Sequence, residues 1–144
     1  MGRLVASLGQ PDSMEEAGTE LGLCEGDEGV AYSWDGFKAI FQTEGDVEVL
    51  VGYRLEQTES DHPTQAIRTR SGLQVGDTID RLESIYLQSG LGFVEVNGSD
   101  HFVLLRSSDN ATLLWGPVSS PDGAGVVEGI YSPHACDRGP TATP

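Results

Sequence analysis

Apolar positions along this chain come in short bursts, some at a helical period and some at a strand period. Between Gly72 and Gly90, the residues Ile79, Leu82, Ile85 and Tyr86 recur at three- and four-residue spacing and make one apolar stripe on a helix. Asp77 or Thr78 stands where a side-chain oxygen caps the free amides of the first turn, Asp80 adds favourable charge there, and Ser89-Gly90 stops the run. Strand patterns follow. His101–Leu105 and Ala111–Trp115 flank the polar stretch Ser107–Asn110 and read as a hairpin, and Val126–Tyr131 is a further short apolar run.

The first half shows the same order of events. Leu4, Val5 and Leu8 form a short helical stripe ended by Gly9, with Pro11 beyond it. A loose acidic segment runs from Asp12 to Gly29. Val30–Trp34 and Phe37–Phe41 then flank Asp35-Gly36, a strong hairpin signal, and Val47–Leu55 supplies a third strand. Arg3-Leu4 matches Arg81-Leu82, and each half closes on a strand with glycine and tyrosine, Val51-Gly52-Tyr53 and Glu128-Gly129-Ile130-Tyr131. The expected fold class is therefore α+β. Two tandem helix–three-strand half-repeats, about 1–55 and 72–136, form a mostly antiparallel sheet with the helices on one face. They make one domain, 1–136, with a polar linker at 56–71 and a disordered tail at 137–144.

Charge narrows the partners. The chain has 144 residues, 23 acidic against 8 basic, and a formal net charge of −15. Nucleic acid needs basic residues to neutralise phosphates, so it is excluded as a partner, and an anionic membrane surface is disfavoured for the same reason. A cationic partner or calcium would be attracted; the plainer role of the charge is solubility. Lys38 is the single lysine beside seven arginines, a bias that accompanies GC-rich coding. No run of about 18 apolar residues exists to span a bilayer. Met1–Gly9 lacks the apolar core and cleavage site of a signal peptide, so export implies a leader ahead of this sequence.

Cys24 and Cys136 lie far apart and outside any Cys-x-x-Cys spacing. Three arrangements are open: a disulfide, which we favour, two buried thiols, or a metal site that adds His134. Closing a loop of about 110 residues would stabilise the fold by up to roughly 4–5 kcal/mol, less any strain, and implies an oxidising compartment.

The segment Gly72-Leu73-Gln74-Val75-Gly76-Asp77-Thr78, followed by Leu82 and a glycine stop, resembles the Gly-Leu-x-x-Gly-x-Thr helix entry of two related groups. One comprises uncharacterised secreted or lipid-anchored proteins of high-GC Gram-positive bacteria. The other is the tandem-repeat fold shared by β-lactamase inhibitor proteins and small outer-membrane assembly lipoproteins. The resemblance implies an α+β fold, export to the cell envelope or the exterior, and binding of other proteins rather than catalysis. The chain departs from the inhibitors in offering one cysteine per half rather than a pair, and no inhibitor contact residue is carried over.

A search for chemistry finds little. The histidines are His62, in the linker, His101, at a strand start near Asp100 and Asp109, and His134. No Gly-x-Ser-x-Gly elbow, phosphate loop or dinucleotide fingerprint occurs. Glu15-Glu16, Asp27-Glu28 and Asp77 with Asp80 read as solvated loops and a cap, and Glu25–Gly29 lacks the alternating ligands of a calcium loop. No cofactor or metal is expected. Among the aromatics, Trp34, Phe37, Tyr53 and Trp115 are the candidates for a docking surface. The expectation is a non-catalytic secreted or cell-envelope module that binds another protein, a cationic one by charge. The alternatives are a small hydrolase-like enzyme with His101 or His134 in a cleft between the halves, and a structural segment of a larger exported protein.

Overall fold

The computed structural model describes residues 2–57, 67–87, 89–134 and 136–140. Eight strands are formed: β1 (Ser13–Ala17), β2 (Gly29–Trp34), β3 (Phe37–Glu44), β4 (Val47–Glu56), β5 (Gly90–Val96), β6 (Ser99–Leu105), β7 (Thr112–Pro117) and β8 (Gly129–Tyr131). They make one antiparallel sheet in the order β1-β2-β3-β4-β8-β7-β6-β5. Two seven-residue helices, α1 (Gly2–Leu8) and α2 (Ile79–Ile85), lie on one side of it.

This corrects the expected pair of tandem helix–three-strand units. β4 and β8 pair with each other through Arg54↔Tyr131, Leu55↔Ile130 and Glu56↔Gly129, which joins the two halves into one continuous sheet. Two of the strands lie where none was expected. β1 falls in the acidic segment read as a loop; four of its five residues are exposed and only Ala17 is buried, so it carries no alternation to detect. β5 begins at Gly90, the residue read as a helix stop, and it contains a second glycine, Gly92. The helix starts after Thr78, as expected, but ends at Ile85, short of the expected stop at Ser89-Gly90, with the Tyr86 amide closing the last turn onto the Leu82 carbonyl.

Local chemistry explains the elements that do form. Thr78 caps α2, its Oγ1 accepting from the Arg81 amide at 3.1 Å, with Asp80 in the first turn. Ile79 and Leu82 then bury against Leu55, Phe102, Leu104, Val127 and Ile130. Each such side chain contributes roughly 1.5–3 kcal/mol on leaving water. The β2–β3 hairpin turns at Asp35-Gly36 as expected, closed by Trp34↔Phe37. α1 sets Leu4 and Leu8 against Trp34, Ala39 and Phe41. It ends at Gly9, whose φ of +79° is left-handed and whose carbonyl accepts the Trp34 indole N–H at 3.0 Å.

The other side of the sheet is covered too. Alternation sends Ala31 and Ile40 there, where they pack with Ala17, Leu21 and Leu23. The 3-10 turn Thr19–Leu21 supplies part of that layer. Of the three arrangements open to the cysteines, the chain takes the disulfide. Cys24 and Cys136, with Cα atoms 5.1 Å apart, tie this layer to a C-terminal turn in which His134 and Asp137 exchange main-chain hydrogen bonds of 2.9 and 3.0 Å. The His134 imidazole lies between Gly22 and Gly52, and a Cβ at either glycine would collide with the ring. Its Nε2–H donates to the Leu21 carbonyl at 2.9 Å. Asp137 reaches Arg54 at 3.5 Å, and the Gly139 backbone lies against the Trp115 indole. Asp137 and Gly139, at the start of the expected disordered tail, thus lie against the sheet. Residues 141–144 and residues 58–66 of the expected linker fall outside the described residues.

Candidate functional site

The four residues expected to form a docking surface do not share one. Trp34 is buried, 5% exposed. Phe37 stands 5.8 Å from Trp34 and 6.5 Å from Tyr53 between ring centroids, so these three form a row on the helix side of the sheet. Trp115 lies on the reverse side. The register Arg54↔Tyr131↔Trp115 places it beside Tyr131, whose ring it meets edge-on at 4.9 Å. The Arg54 guanidinium sits 4.9 Å above the Tyr131 ring, and His101 is 5.9 Å from Trp115. The C-terminal turn lies across this aromatic row. The Trp115 Nε1 is buried there with no hydrogen-bond acceptor among the described residues.

Burial, with Glu56 nearby, raises the Tyr131 pKa above its ordinary 10, and only Arg54 opposes the shift. A raised phenol pKa means that this contribution to stability is fully present below pH 10 and is lost as pH rises through the folded-state value. Removing the opposing charge with Arg54→Gln should therefore move the Tyr131 titration higher still. Absorbance at 295 nm, taken as the difference from Tyr131→Phe, reads it; an unchanged or lower midpoint would refute the contact.

Sequence reasoning did not find the surface that is open. Two register rows cross the helix-side face, Met14–Tyr32–Ala39–Tyr53 and Glu16–Val30–Phe41–Leu50. α1 packs on the Trp34–Ala39–Phe41 cluster, while Met14 and Leu50 at the margin of these rows stay exposed. Met14 is 67% exposed and Leu50 51% exposed, and between them Tyr32 meets Phe41 edge-on at 5.6 Å. Exposed Met14 and Leu50 thus stand at the two ends of a diagonal across β1 to β4 whose floor is half-buried Tyr32 and buried Phe41. Exposed Glu16 and Glu48 border it. Glu48 accepts from the Tyr32 hydroxyl at 2.8 and 3.1 Å, a bond that pushes the Tyr32 pKa up. The start of β4 is exposed on both faces, Val47 and Val49 on one and Glu48 and Leu50 on the other. A register bulge between Ile40 and Phe41 decides which side each takes.

The histidines and acids fall elsewhere. His62 lies outside the described residues. His101 Nδ1 is 3.0 Å from the Ser99 carbonyl and His134 bonds the Leu21 carbonyl, so among the described residues each ring meets main chain rather than an orienting carboxylate. Glu15 pairs with Lys38 at 2.8 Å, and Asp77 accepts the Gln74 amide at 2.9 Å. Arg106 grips Asp109 with two bonds of 2.9 and 2.7 Å and lowers its pKa to about 2. Among the described residues no group of three or more His, Cys, Asp or Glu side chains is placed to hold a metal ion. No helix among them is long and apolar enough to cross a membrane.

No protein-family model matches the chain, and no curated protein matches it in sequence. Among solved structures it is similar to a cysteine-rich secretory protein from Staphylococcus aureus subsp. aureus Mu50, with 16% identity and a TM-score of 0.41. The match covers 91% of this chain and 42% of the staphylococcal one, so the chain spans less than half that protein's length. At this level of likeness it assigns neither fold nor function here.

Proposed function

We propose that this chain is a non-catalytic, exported module that binds another protein, and that it does so through the Met14–Leu50 diagonal. The observation that carries the reading is the exposure of Met14 and Leu50 beside the Tyr32–Phe41 pair, with Glu16 and Glu48 at the border. Large exposed apolar residues clustered inside a polar rim are the usual anatomy of a protein interface. The acidic rim and the net charge of −15 select a partner with basic residues around an apolar centre. The Cys24–Cys136 bond supports export, since such bonds persist in oxidising compartments.

Photo-crosslinking tests this. A photoreactive side chain at Met14 or Leu50 should capture a discrete basic protein from the exported fraction. The same group at Leu87, which is 80% exposed and far along the chain, should not. Leu50→Asp should abolish the crosslink formed from position 14. Equal yields at 14, 50 and 87 would sink the reading.

A further inference from the structure

The sheet has two edges, and they are built differently. β1, at one end, is five residues long, follows Pro11 and Asp12, and carries Glu15 and Glu16; charge and proline of this kind keep an edge from pairing. β5, at the other end, is Gly-Leu-Gly-Phe-Val-Glu-Val. It runs in unbroken register with β6 from Gly90↔Leu105 to Val96↔Ser99, with one charge, no proline and no bulge.

Three observations fix which of its main-chain groups face outward. Asn97 and Gly98 turn at φ of +53° and +82° between the register pair Val96↔Ser99, and the pair that flanks a two-residue turn of this kind is a hydrogen-bonded one. The Asp100 carbonyl accepts from Val118 at 2.9 Å, on the β7 side, as that alternation requires. The Leu91 amide turns back to the Ser89 carbonyl at 2.9 Å and so lies away from β6. Gly92, Val94 and Val96 therefore bond to β6, while Phe93 and Glu95 direct N–H and C=O outward, in line with the Leu91 carbonyl.

The side chains along that row specify what would fit. Leu91, Phe93 and Glu95 share one face, opposite Leu104, Phe102 and Asp100. Leu91 and Phe93 are half-buried against the core, so a further strand would extend two apolar rows. Glu95 and Asp100 set two carboxylates side by side, and among the described residues neither has a basic partner. Like charges in that relation repel; a lysine or arginine opposite Glu95 would relieve them. A second copy of this chain would instead bring another net charge of −15 to the edge.

We infer that β5 takes up an extended basic segment of another protein as an antiparallel ninth strand, with the pattern basic-x-apolar-x-apolar facing Glu95, Phe93 and Leu91. This goes beyond the Met14–Leu50 surface and does not depend on it. The probe is the capped peptide Thr-Lys-Thr-Val-Thr-Leu-Thr, compared with the same peptide carrying Glu in place of Lys. At millimolar peptide, amide exchange by NMR should slow at Phe93 and Glu95 and stay unchanged at Gly92 and Val94. The Lys peptide should bind about tenfold more tightly than the Glu peptide. Glu95→Lys, an exposed substitution that leaves the fold intact, should reverse that order, whereas Leu50→Asp should leave it alone. No protection at Phe93 and Glu95, or a preference that survives Glu95→Lys, would overturn the inference. So would protection that appears without peptide as protein concentration rises, which would assign the edge to a second copy.

Discussion

Breaking the Cys24–Cys136 bond is expected to cost this protein about 2–5 kcal/mol of stability and to lower its melting temperature by roughly 6–20 °C. The two cysteines are 112 residues apart, so the bond closes a loop spanning most of the chain and strongly restricts the unfolded ensemble. The folded state depends on it as well. Without the bond, the turn containing His134 and Asp137 is held by the Leu21 carbonyl, by the seat of the ring on Gly22 and Gly52, and by the Arg54–Asp137 pair at 3.5 Å. That pair is partly exposed and contributes little on its own. Thermal unfolding of the oxidised protein, the reduced protein and the Cys24→Ser, Cys136→Ser double variant makes the comparison. Amide exchange should show Leu21 and Leu23 opening first, with Phe102 and Leu104 following only on global unfolding. A melting shift of a degree or two would mean that the hydrophobic layers alone hold the two ends.

What could be read from the sequence was local or chemical. The Asp35-Gly36 turn, the Thr78 cap and the Gly9 helix end each depend on a few neighbouring residues, and the structure has all three. The cysteine pair was legible because two thiols in one domain have few arrangements to choose from. The long-range pairings were not. β8 has three residues, yet it joins β4 to β7, and nothing in Gly129-Ile130-Tyr131 announces two neighbours. β1 is exposed along four of five positions, so it lacks the alternation by which strands are recognised. The expected symmetry of two units came from real local likenesses, but helices of seven residues are too small to make each half a separate layer pair. The docking residues show the same limit. Trp34, Phe37, Tyr53 and Trp115 are conspicuous as residue types, whereas the face each takes is set by cross-strand register. Of the residues that carry the open surface, Met14 sits in an acidic stretch that hides it, and Leu50 sits in an apolar run where a bulge in the register, not residue type, sets its face.

Gly116→Ala should destabilise the protein by about 2–3 kcal/mol, and it tests the junction that turns the two halves into one sheet. Gly116 pairs with Phe102 across β6–β7, and the Phe102 ring lies over it, 3.1 Å from where a Cβ would stand. The carbonyl oxygen of Gly129 already occupies that position. A flexible side chain can swing away from an added methyl; a carbonyl in a strand cannot move unless the strand does. β8 has one register pair to β7, Trp115↔Tyr131, and three to β4, and the β7 side is continued by the Glu128 amide on the Pro117 carbonyl at 2.8 Å. The methyl should therefore push β8 off β7 and expose Ile130, which is now fully buried between the halves. Denaturant unfolding gives the loss, and amide exchange at Ile130 and Tyr131 locates it. Gly2→Ala, where a Cβ meets nothing within 4 Å, serves as the control and should be neutral or slightly stabilising. If Gly116→Ala matched that control, the close approach of β7 and β8 would not be what joins the sheet. If it instead split unfolding into two separate transitions, the halves would be capable of standing apart, and the β4–β8 pairing would be a contact between them rather than part of a common core.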